Sequence, residues 1–122
     1  MAMINRALLS EYLSKPLREE VFVIDGFEWR LRQMTEEQGT EYELALQNKK
    51  GQIDFSKARR LMISLMLIDE NGQRVSDKEE DFKKLPRAIA GELFSKCQEL
   101  NSYDKGEIED LVKKSEEAES SE

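Results

Sequence analysis

The sequence predicts an α+β fold, mainly α-helical, in which an N-terminal β-hairpin packs on about five helices. Three observations lead there. Lys57–Asp69, KARRLMISLMLID, is the one nearly continuous apolar stretch, and its spacing is helical. Val21–Arg32, VFVIDGFEWRLR, alternates apolar and polar residues about Asp25-Gly26, a strong signal for a two-residue turn between antiparallel strands. Thr35-Glu36-Glu37-Gln38 and Ser76-Asp77-Lys78-Glu79 each have the form of a capping box, a Ser or Thr followed three residues later by Gln or Glu. The length of 122 residues suits one domain. It divides into an N-terminal helix or arm over 1–16, a globular body over 17–114 and an acidic tail over 115–122.

Ile4–Leu13 reads as a short amphipathic helix: Ile4, Ala7, Leu8 and Tyr12 have helical spacing, and Leu9 and Leu13 widen the apolar face. Lys15-Pro16 ends it, because the residue before proline avoids the helical region. That face either joins the core or meets another chain, so Leu9 and Leu13 are candidate protein-binding residues. In the hairpin, a two-residue loop pairs Ile24 with Phe27, Val23 with Glu28, Phe22 with Trp29 and Glu20 with Leu31. Phe22, Ile24, Phe27, Trp29 and Leu31 then share one face, and Val21, Val23, Glu28 and Arg30 the other. The aromatic pair could serve as a ligand platform; packing on helices is the favoured reading, since an isolated hairpin is only marginally stable. The alternative for its free edge is pairing with another chain.

The helix opened by Thr35 carries Tyr42, Ala45 and Leu46 and is expected to end with Gly51 as a left-handed cap. Asp54 or Ser56 is expected to cap the central helix. A buried strand would also give a short apolar run, but the spacing of Ala58, Leu61, Met62 and Leu65 and the Met and Leu content favour a helix. At about 100° per residue, Ala58, Leu61, Met62, Leu65 and Met66 form one broad face and Lys57, Arg60 and Ser64 a narrow polar stripe. Ile63 and Leu67 then lie where a surface helix should be polar. Either neighbouring helices wrap them or they meet another chain, so both join Leu9 and Leu13 as candidates.

Beyond the Asp69-Glu70-Asn71-Gly72 turn, Ser76 opens a short helix with Phe82 and Leu85. Pro86 starts a longer one reaching about Leu100, with Ile89, Leu93, Phe94, Cys97 and Leu100 inward and Asn101 as a cap. Asp104 with Glu107 opens a last helix bearing Ile108, Leu111 and Val112. The tail SEEAESSE has no apolar periodicity and is expected to be disordered.

Charge and chemistry narrow the function classes. The formal net charge is −7 and uneven. From Asp104 onward there are eight acidic and three basic residues, a net of −5, whereas the first 103 residues carry 18 acidic and 16 basic, a net of −2. Nucleic acid is not an expected partner, because phosphate binding needs a basic surface. No apolar run approaches the ~20 residues of a membrane span, and Arg6 and Glu11 interrupt any signal-peptide core. A single cysteine forms no intrachain disulfide, and with no histidine there is nothing to activate Cys97 as a nucleophile. Asp69, Asn71 and Gly72 echo a calcium loop, but Gln73 stands where a ligand is needed and the glycine comes too early. The carboxylate runs at Glu36-Glu37 and Glu79-Glu80-Asp81 sit at helix starts, where the macrodipole alone favours them. The expectation is a protein that is not an enzyme, has no cofactor or metal, and binds other proteins through its excess apolar surface.

In order and character the chain resembles a tail assembly chaperone of long-tailed bacteriophages, the type of Gram-positive siphophages and related prophages. The resemblance spans about residues 4–115. It rests on the leader INRALLSEYL, the strand pair ending in FEWRLRQMTEEQ, the apolar helix closing in LMLIDENGQRV, and the later KLPRAIAGELFSKCQELN. The Trp29-Arg30-Leu31-Arg32 element followed by Met34-Thr35 and Glu36-Glu37, and the Asp69–Gly72 turn, are its most specific parts. It implies a mostly helical fold with a small β element and no catalytic residues to carry over. It also implies binding of the tape-measure protein, and often the tail-tube protein, in the cytoplasm of the infected bacterial host, with self-association and absence from the mature virion. Such chaperones are commonly made in two lengths by ribosomal frameshifting, for which Lys113-Lys114 would suit a slippery codon pair. A small structural or connector component of the particle, or a host adaptor, is the alternative.

Overall fold

The structure, a computed structural model, describes residues 2–102. The expected last helix around Ile108 and the tail 115–122 lie outside the described residues. Among those described, the order is α1 (Arg6–Leu13), β1 (Glu19–Ile24), β2 (Phe27–Arg32), α2 (Glu36–Leu46), α3 (Ala58–Met66), β3 (Leu67–Ile68) and α4 (Arg87–Asn101), with short 3-10 turns at Phe55–Lys57 and Glu79–Phe82. The fold is α+β: four α-helices and one antiparallel three-stranded sheet of order β1-β2-β3. Among the described residues, no helix is long and apolar enough to cross a membrane.

The hairpin turns on Asp25 and Gly26, both at positive φ (52° and 81°), the backbone that a type I′ turn demands. Ile24 faces Phe27, Phe22 faces Trp29 and Glu20 faces Leu31. On the inner face Ile24 and Leu31 are buried, and Phe22 and Trp29 are half-buried against the core. The Trp29 indole N–H donates to the Ile24 carbonyl at 3.0 Å, so its burial leaves no orphan donor. Phe27 departs from the expected partition: it is 69 % exposed, because it lies at the turn end of the sheet.

The larger correction concerns the central segment. The helix stops at Met66, and Leu67–Ile68 become a third strand, with Ile68 opposite Arg30 and Leu67 opposite Leu31. The apolar run is thus helix and strand in succession. Ile63 is 0 % and Leu67 4 % exposed, so neither lies on an open, solvent-facing helix face. α3 packs against α4, α2 and the 3-10 turn at Glu79, which together close around it. The expected water-facing stripe is covered as well. Ser64 is buried with its hydroxyl on the Leu61 carbonyl, Arg74 donates to the Ser64 carbonyl at 2.8 Å, and Arg60 pairs with Glu79 at 2.7 Å.

Four caps also differ from expectation. Thr35 and Gln38 form a reciprocal capping box on α2. At Ser76, by contrast, the hydroxyl accepts from the Lys78 N–H and donates to Asp81, and the segment settles as a 3-10 turn with no capping box. Gly51, at φ +77°, does not cap α2, which ends at Leu46. It closes a turn in which Asn48 Oδ1 accepts the Lys50 and Gln52 N–H groups, flanked by a Gln47–Ile53 bridge. Asp69–Gln73 repeats that geometry: Asp69 Oδ1 accepts the Asn71 and Gln73 N–H groups, Gly72 sits at φ +81°, and an Ile68–Arg74 bridge flanks it. Asn101 ends α4 without capping it; its amide instead accepts the Met34 N–H at 2.9 Å. Asp54 caps the 3-10 turn Phe55–Lys57, accepting the Ser56 N–H, whereas α3 itself has Lys57 at its start and no side-chain cap, so neither Asp54 nor Ser56 caps the central helix directly.

Candidate functional site

Two features stand outside this core. The first is α1. Asn5 caps it by accepting the Leu8 N–H at 2.9 Å, and the Ser14 hydroxyl closes its end on the Glu11 carbonyl. The helix is therefore satisfied locally, but none of its residues is buried and only Leu8 is half-buried. Leu9 is 47 % and Leu13 71 % exposed, with Met3, Ile4 and Tyr12 also in solvent. Both N-terminal candidates are thus where a partner could reach them. The body begins after α1, at Arg18, whose guanidinium donates to the Leu100 and Ser102 carbonyls at 2.7 and 2.9 Å. A cation at that helix end also complements the dipole of α4.

The second feature is a groove of about 1050 Å³ beside β2, bounded by the hairpin, β3 with its following turn, and the approach to α4. Val21, Phe27, Trp29, Val75, Leu85 and Ile89 give it an apolar lining. Glu19, Asp25, Glu28, Asp69 and Glu70 stand around it, against the single cation Arg30. That cation is already engaged. Arg30 pairs with Glu19 at 2.5 Å, and its Nη1 reaches the Glu70 carbonyl at 3.1 Å. Hydrogen bonds from Arg30 and then Arg32 hold the Glu19 carboxyl below the usual carboxylate range. Surface pairs of this kind add little stability, because water screens them. Their consequence is geometric: they tie β1, β2 and the Asp69 turn into one wall.

Leu9, Leu13 and Ile63 do not line this groove; Leu67 does, though it is only 4 % exposed. Sequence reasoning missed it because its parts come from four distant segments. The lone Val75 in a polar stretch and Leu85 before Pro86 were the visible traces.

Cys97 is fully buried, and burial pushes its thiol up to about 12, so it holds no thiolate near neutral pH. Burial likewise raises the neighbouring Tyr42 phenol. Among the described residues no three His, Cys, Asp or Glu side chains cluster as metal ligands would. No family model, no curated protein and no solved structure matches this chain.

Proposed function

We propose that this chain is a non-enzymatic binding protein that covers apolar helical segments of a partner and keeps that partner soluble. By the resemblance of its sequence, the partner is the tape-measure protein of a long-tailed phage, with the tail-tube protein as a second partner. The work is done in the cytoplasm of the infected bacterium, and the chaperone is left out of the finished particle. The observation that carries this reading is α1, an amphipathic helix that presents Leu9 and Leu13 to solvent while the core closes without it. A long apolar helical chain aggregates if left bare, and apolar faces on an acidic carrier of net charge −7 can hold it dispersed.

The test is co-expression with a tape-measure segment. The wild-type chain should shift the segment into the soluble fraction, and Leu9→Asp with Leu13→Asp should abolish the shift while circular dichroism stays native. Loss of solubilisation only in variants that unfold would sink the reading. A connector role in the particle draws on one separate observation, the exposed Val21 and Val23 on the free edge strand β1, a template for pairing with another chain. Mass spectrometry of mature virions separates the two, since the connector is present there and the chaperone absent.

A further inference from the structure

We propose that α1 of one copy docks in the β2 groove of a second copy, in a reciprocal exchange that gives a two-fold dimer. On the helical wheel, taking Ile4 as zero, Leu8, Tyr12, Leu9 and Leu13 lie at about 40°, 80°, 140° and 180°. They form one apolar stripe about 140° wide, the width of a face meant for burial. Arg6, at about 200°, borders that stripe, while Glu11, at about 340°, points away from it. The docking face is therefore apolar with a basic margin.

The groove is its complement, lined by apolar side chains and, beyond Glu19, which Arg30 and Arg32 already hold, edged by the carboxylates of Asp25, Glu28, Asp69 and Glu70. Amphipathic helices bind such grooves through anchors one turn apart, and charge complementarity sets their orientation. At about 1050 Å³ the groove is at the upper end of small-molecule pockets, roughly 300–1,000 Å³, and has room for the face of a two-turn helix. Leaving its own chain costs α1 little, because none of its residues is buried there. Every copy carries one arm and one groove, so two copies that dock reciprocally satisfy both contacts about a two-fold axis, whereas one-way docking would run on as a head-to-tail chain.

Trp29 lines the groove and is the only tryptophan, so its emission reports occupancy directly. The experiment measures the full-length protein by light scattering and Trp29 emission over about a hundredfold range of concentration, without any tape-measure segment. The mass should rise from one chain, 14.2 kDa, toward twice that, and the emission should move to shorter wavelength in step. Leu9→Asp with Leu13→Asp should hold the protein monomeric with unshifted emission, and so should Val75→Asp in the groove. Mixing these two variants pairs an intact arm with an intact groove and should restore a dimer. High salt should weaken every one of these dimers.

A chain that stays at one copy throughout overturns the proposal, and so does a blue-shifted monomer, which would mean docking within one chain. A dimer indifferent to both variants overturns it too, and directs attention to the β1 edge. The proposal rests on reading these surfaces as protein-binding, but the two fail separately. A monomer that still solubilises a tape-measure segment defeats only the exchange, and a dimer that does not defeats only the chaperone role.

Discussion

α1 and α3 are helices of similar length, eight and nine residues, and both carry more apolar surface than a solvent-facing helix needs. Their fates are opposite. α3 buries Ala58, Met62, Ile63, Ser64, Leu65 and Met66, whereas α1 buries nothing. Width of the apolar face does not explain this, since both faces are broad. What differs is how often the chain returns. Around α3 it returns three times: with Arg74 to the Ser64 carbonyl, with Glu79 to Arg60, and with α4 along its length. α1 is set off from β1 by Pro16, and no described element packs along it as α4 packs along α3. Amphipathicity prepares a helix for burial; the topology decides whether the partner is in the same chain.

The sharpest way to break this comparison is Ile63→Ser with Leu67→Ser. Each removes a buried aliphatic side chain, at roughly 2–5 kcal/mol, and inserts a hydroxyl. Together they consume most of the ~5–15 kcal/mol of a small domain, so no cooperative thermal transition should remain. A double variant that melts normally would mean α3 is less enclosed than it looks. Trp29→Ala sits between the extremes. Half-buried and hydrogen-bonded to Ile24, it should cost about 2–3 kcal/mol in urea unfolding, below the 3–5 kcal/mol typical of fully buried aromatics. Thr35→Ala removes a formed capping box and should cost about 1 kcal/mol by the same measurement. Leu9→Asp with Leu13→Asp, read in the dilute monomer, should change stability by no more than about 0.5 kcal/mol. A larger loss would mean that α1 does pack on the body.

Cys97 tests the α3–α4 interface by pH. Its folded value near 12 lies above the ordinary 9.0, so the folded state holds the proton more tightly than the unfolded one. The associated stability is fully present below about pH 9, and falls as pH rises from there toward 12. Urea midpoints should decline over that window in the wild type and decline less in Cys97→Ala. Thiol reagents should label Cys97 slowly until the protein unfolds; rapid stoichiometric labelling of the native protein would place it at the surface.

What the sequence determined by itself is local. Asp25-Gly26 demands positive φ, and the alternation on either side then implies antiparallel strands. Thr35 with Gln38, Asp54 before Ser56, and Lys15-Pro16 mark the ends of helices or 3-10 turns through bonds or clashes a few residues long. The inward spacing of Leu93, Cys97 and Leu100 belongs to one helix and is visible within it. Tertiary structure decided the rest. Leu67–Ile68 continue a helical pattern, yet they pair with Arg30 and Leu31, some 36 to 38 residues earlier. No local signal competes with the backbone hydrogen bonds offered by a waiting strand edge. Ser76 has the letters of a capping box, but its hydroxyl engages Lys78 and Asp81 instead. Gly51 and Gly72 serve turns between bridged segments, where a positive φ is needed as much as at a helix end. The groove beside β2 exists only once the hairpin, β3 and the start of α4 converge, because burial and concavity belong to the assembled surface and to none of its segments alone.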